Sequence, residues 1–331
     1  MRQAGRYMPE YRALRARHTL LELCKNPDLA AEITLQPVER LGVDAAILFA
    51  DLLLSPEAMG MRVEFVKGEG PILHNPIRSV AAIEQLRGPE CAADLDYVCQ
   101  ALRKLRTVLK PEVALLGFGG APFTLASYMI EGGPSRDYAL TKCMMVAEPE
   151  MWNALMQKIV AVQSQFLQNQ IAAGAQAIQI FDSWVGCLSA EDYENYVLPH
   201  TQALIKNLET PGISSYLEQV TPIIHFATGV SSFLPLIGRT GANVISLDWR
   251  VDLADAWNQF GDVAVQGNLD PVALLYPLPE LRRRVQELIY SVRHYPGHIF
   301  NLGHGVLQQT PVENVRAVVE MVHEYSARDW S

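Results

Sequence analysis

Positive charge is in short supply. Against 36 aspartates and glutamates stand 27 lysines and arginines, a formal net charge of -9. Nucleic acid and anionic membranes both need a basic footprint, so neither is expected as the main partner, whereas an anionic small molecule needs only a local cluster of cations. Cysteine is also scarce. The five, Cys24, Cys91, Cys99, Cys143 and Cys187, include no C-x-x-C pair and are odd in number. That argues against a disulfide framework or a structural zinc site and fits a reducing cytosol.

Cofactor signatures are missing too. "GFGGAP" is not the G-x-G-x-x-G of a dinucleotide fold, and no G-x-x-x-x-G-K-S/T phosphate loop occurs. His294 and His298 are four apart, but Pro296 and Gly297 between them prevent a shared helix face of the kind zinc ligands use. No long hydrophobic run spans a membrane. The charge-free stretch 113–130, "VALLGFGGAPFTLASYMI", is short for a span and is broken by Gly119, Gly120 and Pro122. It reads as a buried strand running into a loop. No charged segment followed by an apolar core and cleavage site opens the sequence, so no secretion signal is expected.

What is present is ordinary globular material, 49% hydrophobic and 19% charged over 331 residues, enough for a sizeable core. Short runs rich in Val, Ile and Leu alternate with segments of helical periodicity, the pattern of a parallel sheet. Strands are expected at 43–50, 113–118, 175–181, 221–227, 242–247, 263–267 and 298–302. Helices separate them. The run 310–325 starts with Thr310 as cap, Pro311 in the first helical position and Glu313 completing a capping box. Glu148 to Ala173 forms a long helix ended by Gly174, and Ser189 begins another. No linker or composition shift divides residues 1–331, so one domain is expected.

Seven strands are one short of a closed (β/α)8 TIM barrel, and an open doubly wound sheet competes. The polar residues decide. A barrel collects them after every strand, an open sheet at one crevice. Asp51 follows the first strand, Gly119 and Gly120 with Tyr128 the second, and Asp182 with Ser183 the third. Thr228, Asp248, Asn268 with Asp270, and His304 follow the rest. Every strand contributes, which favours the barrel. The opening "MRQAGRY" reads as one more such loop, and its own strand is expected upstream of Met1.

This rim offers two arginines, a carboxylate at a strand end, a tyrosine, a serine and a histidine. It could hold a multiply anionic substrate and stabilise a cation, but it has no electron sink. Taken singly, each residue has a duller explanation: Asp51 and Ser183 as turn residues, Tyr128 as packing, His304 as a loop residue, Arg6 as solvated charge. For Asp51, Arg2 and Arg6 the shared rim, added to the match of motifs along the chain, raises the functional reading.

The stretches "MRQAGRYMPEYR", "FADLLLSPEAMGM", "GFGGAPFTLASYMIEGG", "IFDSWVG", "LDWR", "QGNLDP" and "NLGHGV" together resemble the uroporphyrinogen decarboxylase family of haem biosynthesis, in the same order along the chain. The resemblance implies a single barrel, homodimeric and cytoplasmic. It implies removal of the four acetate carboxyl groups of uroporphyrinogen III to give coproporphyrinogen III, with no metal and no organic cofactor. It places Asp51 beneath the macrocycle and Arg2 and Arg6 on substrate carboxylates, with Gln3, Ala4 and Gly5 in the same binding stretch. Tyr128, Ser183 and His304 match the remaining binding positions. Asp51, Arg2, Tyr128 and His304 are the residues implied to be catalytic. Arginine is a poor acid and histidine a better one, so Arg2 is assigned first to binding; Arg12 and Arg15 would add weaker charge.

Two other readings stand beside this one. Corrinoid-to-thiol methyltransferases of the same superfamily need a zinc held by a His-x-Cys pair, and here the corresponding residues are His225, Phe226 and Ala227. The other is a truncated tetrapyrrole-binding protein without turnover.

Overall fold

The computed structural model describes residues 3–66, 70–209 and 220–327. Nine strands occur there: β1 (Ala45–Ile47), β2 (Val63–Val66), β3 (Gly70–Leu73), β4 (Ala114–Gly120), β5 (Ala177–Asp182), β6 (Ile223–Ala227), β7 (Val244–Leu247), β8 (Ala264–Leu269) and β9 (His298–Leu302). Seven form one parallel sheet in the order β1-β4-β5-β6-β7-β8-β9, so each strand lies beside the next in the chain. This is the curled sheet of a TIM-type α/β architecture, with helices in the crossovers. All seven strands expected from the apolar runs are present. The hairpin β2–β3 was not expected, because its half-exposed residues leave little hydrophobic signal.

Strands β6 and β7 are buried at every position, as a parallel sheet covered on both faces requires. The helix Pro149–Ala172 lies close against β4 because Gly117 and Gly119 face it. A Cβ on Gly117 would sit 2.5 Å from Gln170 Oε1, and one on Gly119 2.7 Å from Gln163 Oε1. The Gln170 amide exchanges two hydrogen bonds with the Phe118 backbone, each 2.9 Å, where β1 has already ended. Such pairing satisfies main-chain groups that would otherwise be buried alone.

The other edge of β1 is covered by side chains as well. Gln3 Nε2 donates to the Ala45 carbonyl at 2.6 Å, Ile47 N–H donates to Gln3 Oε1 at 2.9 Å, and Phe49 N–H donates to Thr34 Oγ1 at 2.9 Å. An apolar cluster then joins early residues, among them Tyr7, Met8, Tyr11 and Ile33, to late ones such as Leu269, Leu274, Leu302 and Met321. His323, on the helix Val312–Ser326, reaches both Asp44 carboxylate oxygens at 3.0 Å.

The helix ends qualify the expectations. Ser189 Oγ receives the Asp192 N–H at 3.1 Å, and Gly174 takes the left-handed φ of +108° after the long helix. The last helix differs. It begins at Val312, Pro311 is its extended N-cap, and Thr310 Oγ1 is buried without a hydrogen-bond partner. Glu313 pairs with Arg316 at 2.7 Å instead of closing a capping box. The stretch 113–130 also differs, because β4 runs into the helix Pro122–Glu131 and not into a loop. Among the described residues no helix is long and apolar enough to cross a membrane.

Candidate active site

Residues alternate sides along a strand, so the face of β4 opposite Gly117 and Gly119 carries Phe118. The parallel register continues that face through Phe181 of β5 and Phe226 of β6. Their rings touch in sequence, Phe118 to Phe181 at 5.6 Å and Phe181 to Phe226 at 5.7 Å, both edge-on. His304, exposed in the loop after β9, approaches Phe226 at 6.2 Å. An aromatic arc thus lines the inner face and ends at one of the expected site residues. Sequence reasoning missed these phenylalanines, although "GFGG", "IFD" and "HFA" each place one at the penultimate or near-final strand position.

The expected residues fall around this arc on the carboxyl rim. Asp51 is half-buried just after β1, and its Oδ1 receives the Leu53 N–H at 2.9 Å. Tyr128 lies near the end of the helix Pro122–Glu131, with its ring 5.3 Å from Trp184. Ser183 follows β5 and its carbonyl accepts from Thr228 Oγ1 at 2.7 Å. Thr124 fastens the same loop: its hydroxyl donates to Asp182 Oδ1 at 2.7 Å and receives Trp184 N–H at 3.3 Å. The loops after β4, β5 and β6 are therefore tied to one another beside Tyr128 and Ser183.

Arg2 lies outside the described residues. Gln3, Ala4 and Gly5 are half-buried and Arg6 is exposed. This stretch is held against β1 by the Gln3 amide and by Tyr7, whose hydroxyl donates to the Gln3 carbonyl at 2.6 Å. Burial, and secondarily Glu10, push the Tyr7 phenol above its ordinary pKa, so it remains a donor. Arg12, expected as extra loop charge, donates to the Arg6 and Tyr7 carbonyls at 3.0 and 3.2 Å, and Arg15 donates to the His18 carbonyl at 2.6 Å. Both brace backbone.

Three other rim residues hold loops. Asp248, 3% exposed, receives Gly229 N–H at 2.6 Å and Arg250 N–H at 2.8 Å. Asn268 donates to the Asp248 and Val251 carbonyls, and Asp270 Oδ1 receives Val272 N–H at 2.9 Å. Asp182 belongs with them. Its side chain is wholly buried toward the helices, 3.9 Å from the equally buried His225. No group of three or more His, Cys, Asp or Glu side chains suited to a metal occurs among the described residues.

Residues 1–325 match the family model described as Uroporphyrinogen decarboxylase (URO-D). The chain belongs to the uroporphyrinogen decarboxylase family. It is 51% identical over 328 residues to the uroporphyrinogen decarboxylase of Carboxydothermus hydrogenoformans, covering 99% of this chain and 91% of that protein. To the one from Roseiflexus sp. (strain RS-1) it is 52% identical over 328 residues, covering 99% and 93%. Among solved structures, a methyltransferase from Methanosarcina mazei superposes with a TM-score of 0.73 at 18% identity, over 93% of this chain and 90% of that one. A B12-independent methionine synthase from Shewanella sp. W3-18-1 gives 0.57 at 10% identity, over 92% and 89%. These structures share the family's fold. His225, the residue that a zinc-dependent methyltransferase reading needs, points behind the sheet toward Asp182, away from the face of Phe226.

Proposed function

We propose that this chain decarboxylates uroporphyrinogen III to coproporphyrinogen III, removing the carboxyl groups of the four acetate arms in the tetrapyrrole branch that leads to haem. The observation that carries the reading is identity of about half over nearly the whole chain with proteins of that name.

The chemistry suits such a rim. Once the adjacent ring carbon has been protonated, the attached pyrrole takes the electron pair that an acetate arm leaves behind on losing carbon dioxide. A proton added to the exocyclic methylene and one lost from the ring carbon then give the methyl group, a net uptake of one proton per arm. The substrate is its own electron sink, so the protein's tasks are to bind a polyanion, deliver a proton and stabilise a cationic ring with charge already in place. Asp51 would sit beneath the pyrrole N–H groups, accept their hydrogen bonds and offset the positive charge. Arg2 and Arg6 would take carboxylates in forked pairs, beside Gln3, Ala4 and Gly5. Tyr128, Ser183 and His304 would bind further arms. An imidazole exchanges protons near neutral pH and a guanidinium does not, which makes His304 a better proton donor than Arg2. The aromatic arc supplies an apolar wall for the macrocycle.

The reading includes one barrel domain, a homodimer and a cytoplasmic setting, with no metal or organic cofactor required. An anaerobic assay with freshly reduced uroporphyrinogen III, followed by oxidation and separation by carboxyl number, tests it. A series descending to the four-carboxyl product is expected. Unchanged substrate that nevertheless binds would return the chain to a tetrapyrrole-binding role.

A further inference from the structure

The aromatic arc does not stop at His304. The ring of Trp249 stands edge-on to His304 at 6.2 Å, and the Arg250 guanidinium lies over Trp249 at 4.1 Å from the ring centroid. Both residues sit in the loop after β7, next to Asp248. Phe118, Phe181, Phe226, His304 and Trp249 thus form a continuous line of rings that ends in a cation.

That cation is held in place before any ligand arrives. Arg250 Nη1 donates to Asp248 Oδ2 at 2.7 Å, while the same carboxylate receives the backbone N–H groups of Gly229 and Arg250. Asp248 is buried and fixed by two loops, so it is a rigid anchor. The indole supplies a second contact across the face of the guanidinium. Half of the Arg250 side chain, 51%, remains in solvent. A guanidinium carries five N–H donors, and only one is taken here by Asp248. Asp248 shares its charge among three donors, which leaves Arg250 able to attract a second acceptor. An arginine so oriented loses little side-chain entropy on forming a forked pair with a carboxylate.

We infer that Arg250 binds a carboxylate arm of the substrate at the far end of the aromatic arc and thereby sets affinity for the polyanion; this rests on the decarboxylase reading above. Its partner is a carboxylate borne by a macrocycle of four pyrroles joined through methylene bridges. The ring system packs along Phe118, Phe181 and Phe226 while an arm reaches past His304 to the guanidinium. Arg250 acts in binding and has no part in the proton transfer, so its removal separates KM from kcat.

The test compares wild type, Arg250→Gln and Arg250→Lys in the anaerobic uroporphyrinogen III assay. In parallel, oxidised uroporphyrin, which keeps all eight carboxylates but does not react, is titrated by quenching of tryptophan fluorescence, and thermal midpoints are recorded. For Arg250→Gln, loss of a charge-assisted pair should raise KM and the uroporphyrin Kd about tenfold with kcat within about twofold. Arg250→Lys keeps the charge beside Asp248 but not the fork, and should fall between. Unchanged KM and Kd in Arg250→Gln, or a loss confined to kcat, overturns the inference. If Arg250→Gln melts early, Arg250→Lys decides alone: a raised KM upholds the role and an unchanged one overturns it. A wild type that binds uroporphyrin but turns nothing over defeats the decarboxylase reading, and the Kd comparison still decides Arg250.

Discussion

The side-chain amide of Gln3 clasps the free edge of β1, donating to the Ala45 carbonyl at 2.6 Å and receiving the Ile47 N–H at 2.9 Å. It occupies the place a neighbouring strand's peptide would take, and it fastens Arg6 beside the strand that leads to Asp51. Gln3→Ala removes both bonds and leaves two backbone groups seeking water. We expect a stability loss of about 1–2 kcal/mol in urea unfolding, together with a raised KM. A variant as stable as wild type and with unchanged KM would show that the clasp is ornamental.

Asp51→Asn keeps an oxygen for the Leu53 N–H and removes the charge. If the carboxylate stabilises a cationic pyrrole, kcat should fall by about a hundredfold or more, while uroporphyrin affinity changes only a few-fold. Equal losses in turnover and binding would instead make Asp51 a simple ligand.

The Thr124 hydroxyl donates to the wholly buried Asp182 and also receives the Trp184 N–H. Thr124→Val leaves that carboxylate without its donor in a site closed to water. Unfolding should become easier by about 2 kcal/mol, since a buried polar group that loses its hydrogen bond bears its desolvation cost uncompensated. KM should also rise, because the Trp184 ring that Tyr128 packs against loses its tether. Chemical denaturation and steady-state kinetics report the two effects separately, and Thr124→Ser should rescue both.

Burial lowers the imidazole pKa of His298, partly offset by its hydrogen bond with the Gly267 carbonyl, and burial alone lowers that of His200. The folded chain therefore keeps these rings neutral to a lower pH than the unfolded chain does. Between the two pKa values the unfolded state binds more protons, so stability rises with pH there. The contribution is complete above about pH 6.5, the ordinary imidazole value, and is lost as pH falls below it toward the folded values. His298→Gln, which keeps a donor for Gly267, should flatten the slope of the urea midpoint between about pH 5 and 7. The same slope in mutant and wild type would assign the dependence to other groups.

The strands and their rim could be read from the sequence because a parallel sheet buried on both faces demands mostly apolar runs, and many of the conspicuous polar residues gather at or just after the strand ends. Chemical type alone did not separate two roles. Asp51 and Asp248 both follow strands, but Asp248 is buried and taken up by the nearby Arg250 and by Gly229 from the loop after β6, a pairing that only the fold reveals. The phenylalanine arc was hidden for a related reason. Phe118, Phe181 and Phe226 look like core residues in a linear reading, and only the register of β4, β5 and β6 lines them up. The missed cap at Thr310 reflects Pro311, which took the extended cap position itself.

The apolar cluster that joins residues 7–41 to residues 269–321 has a consequence for synthesis. At ribosomal speeds of about 5–20 residues per second, the early half of that cluster waits roughly ten to fifty seconds for its other half to emerge. Until then Tyr7, Met8, Tyr11 and Ile33 have no late partners to cover them, while β4, β5 and β6 can already associate with their neighbours in order. The nascent chain is thus most exposed to holdase chaperones through residues 7–41, and the folded molecule is fastened when these residues meet residues 269–321.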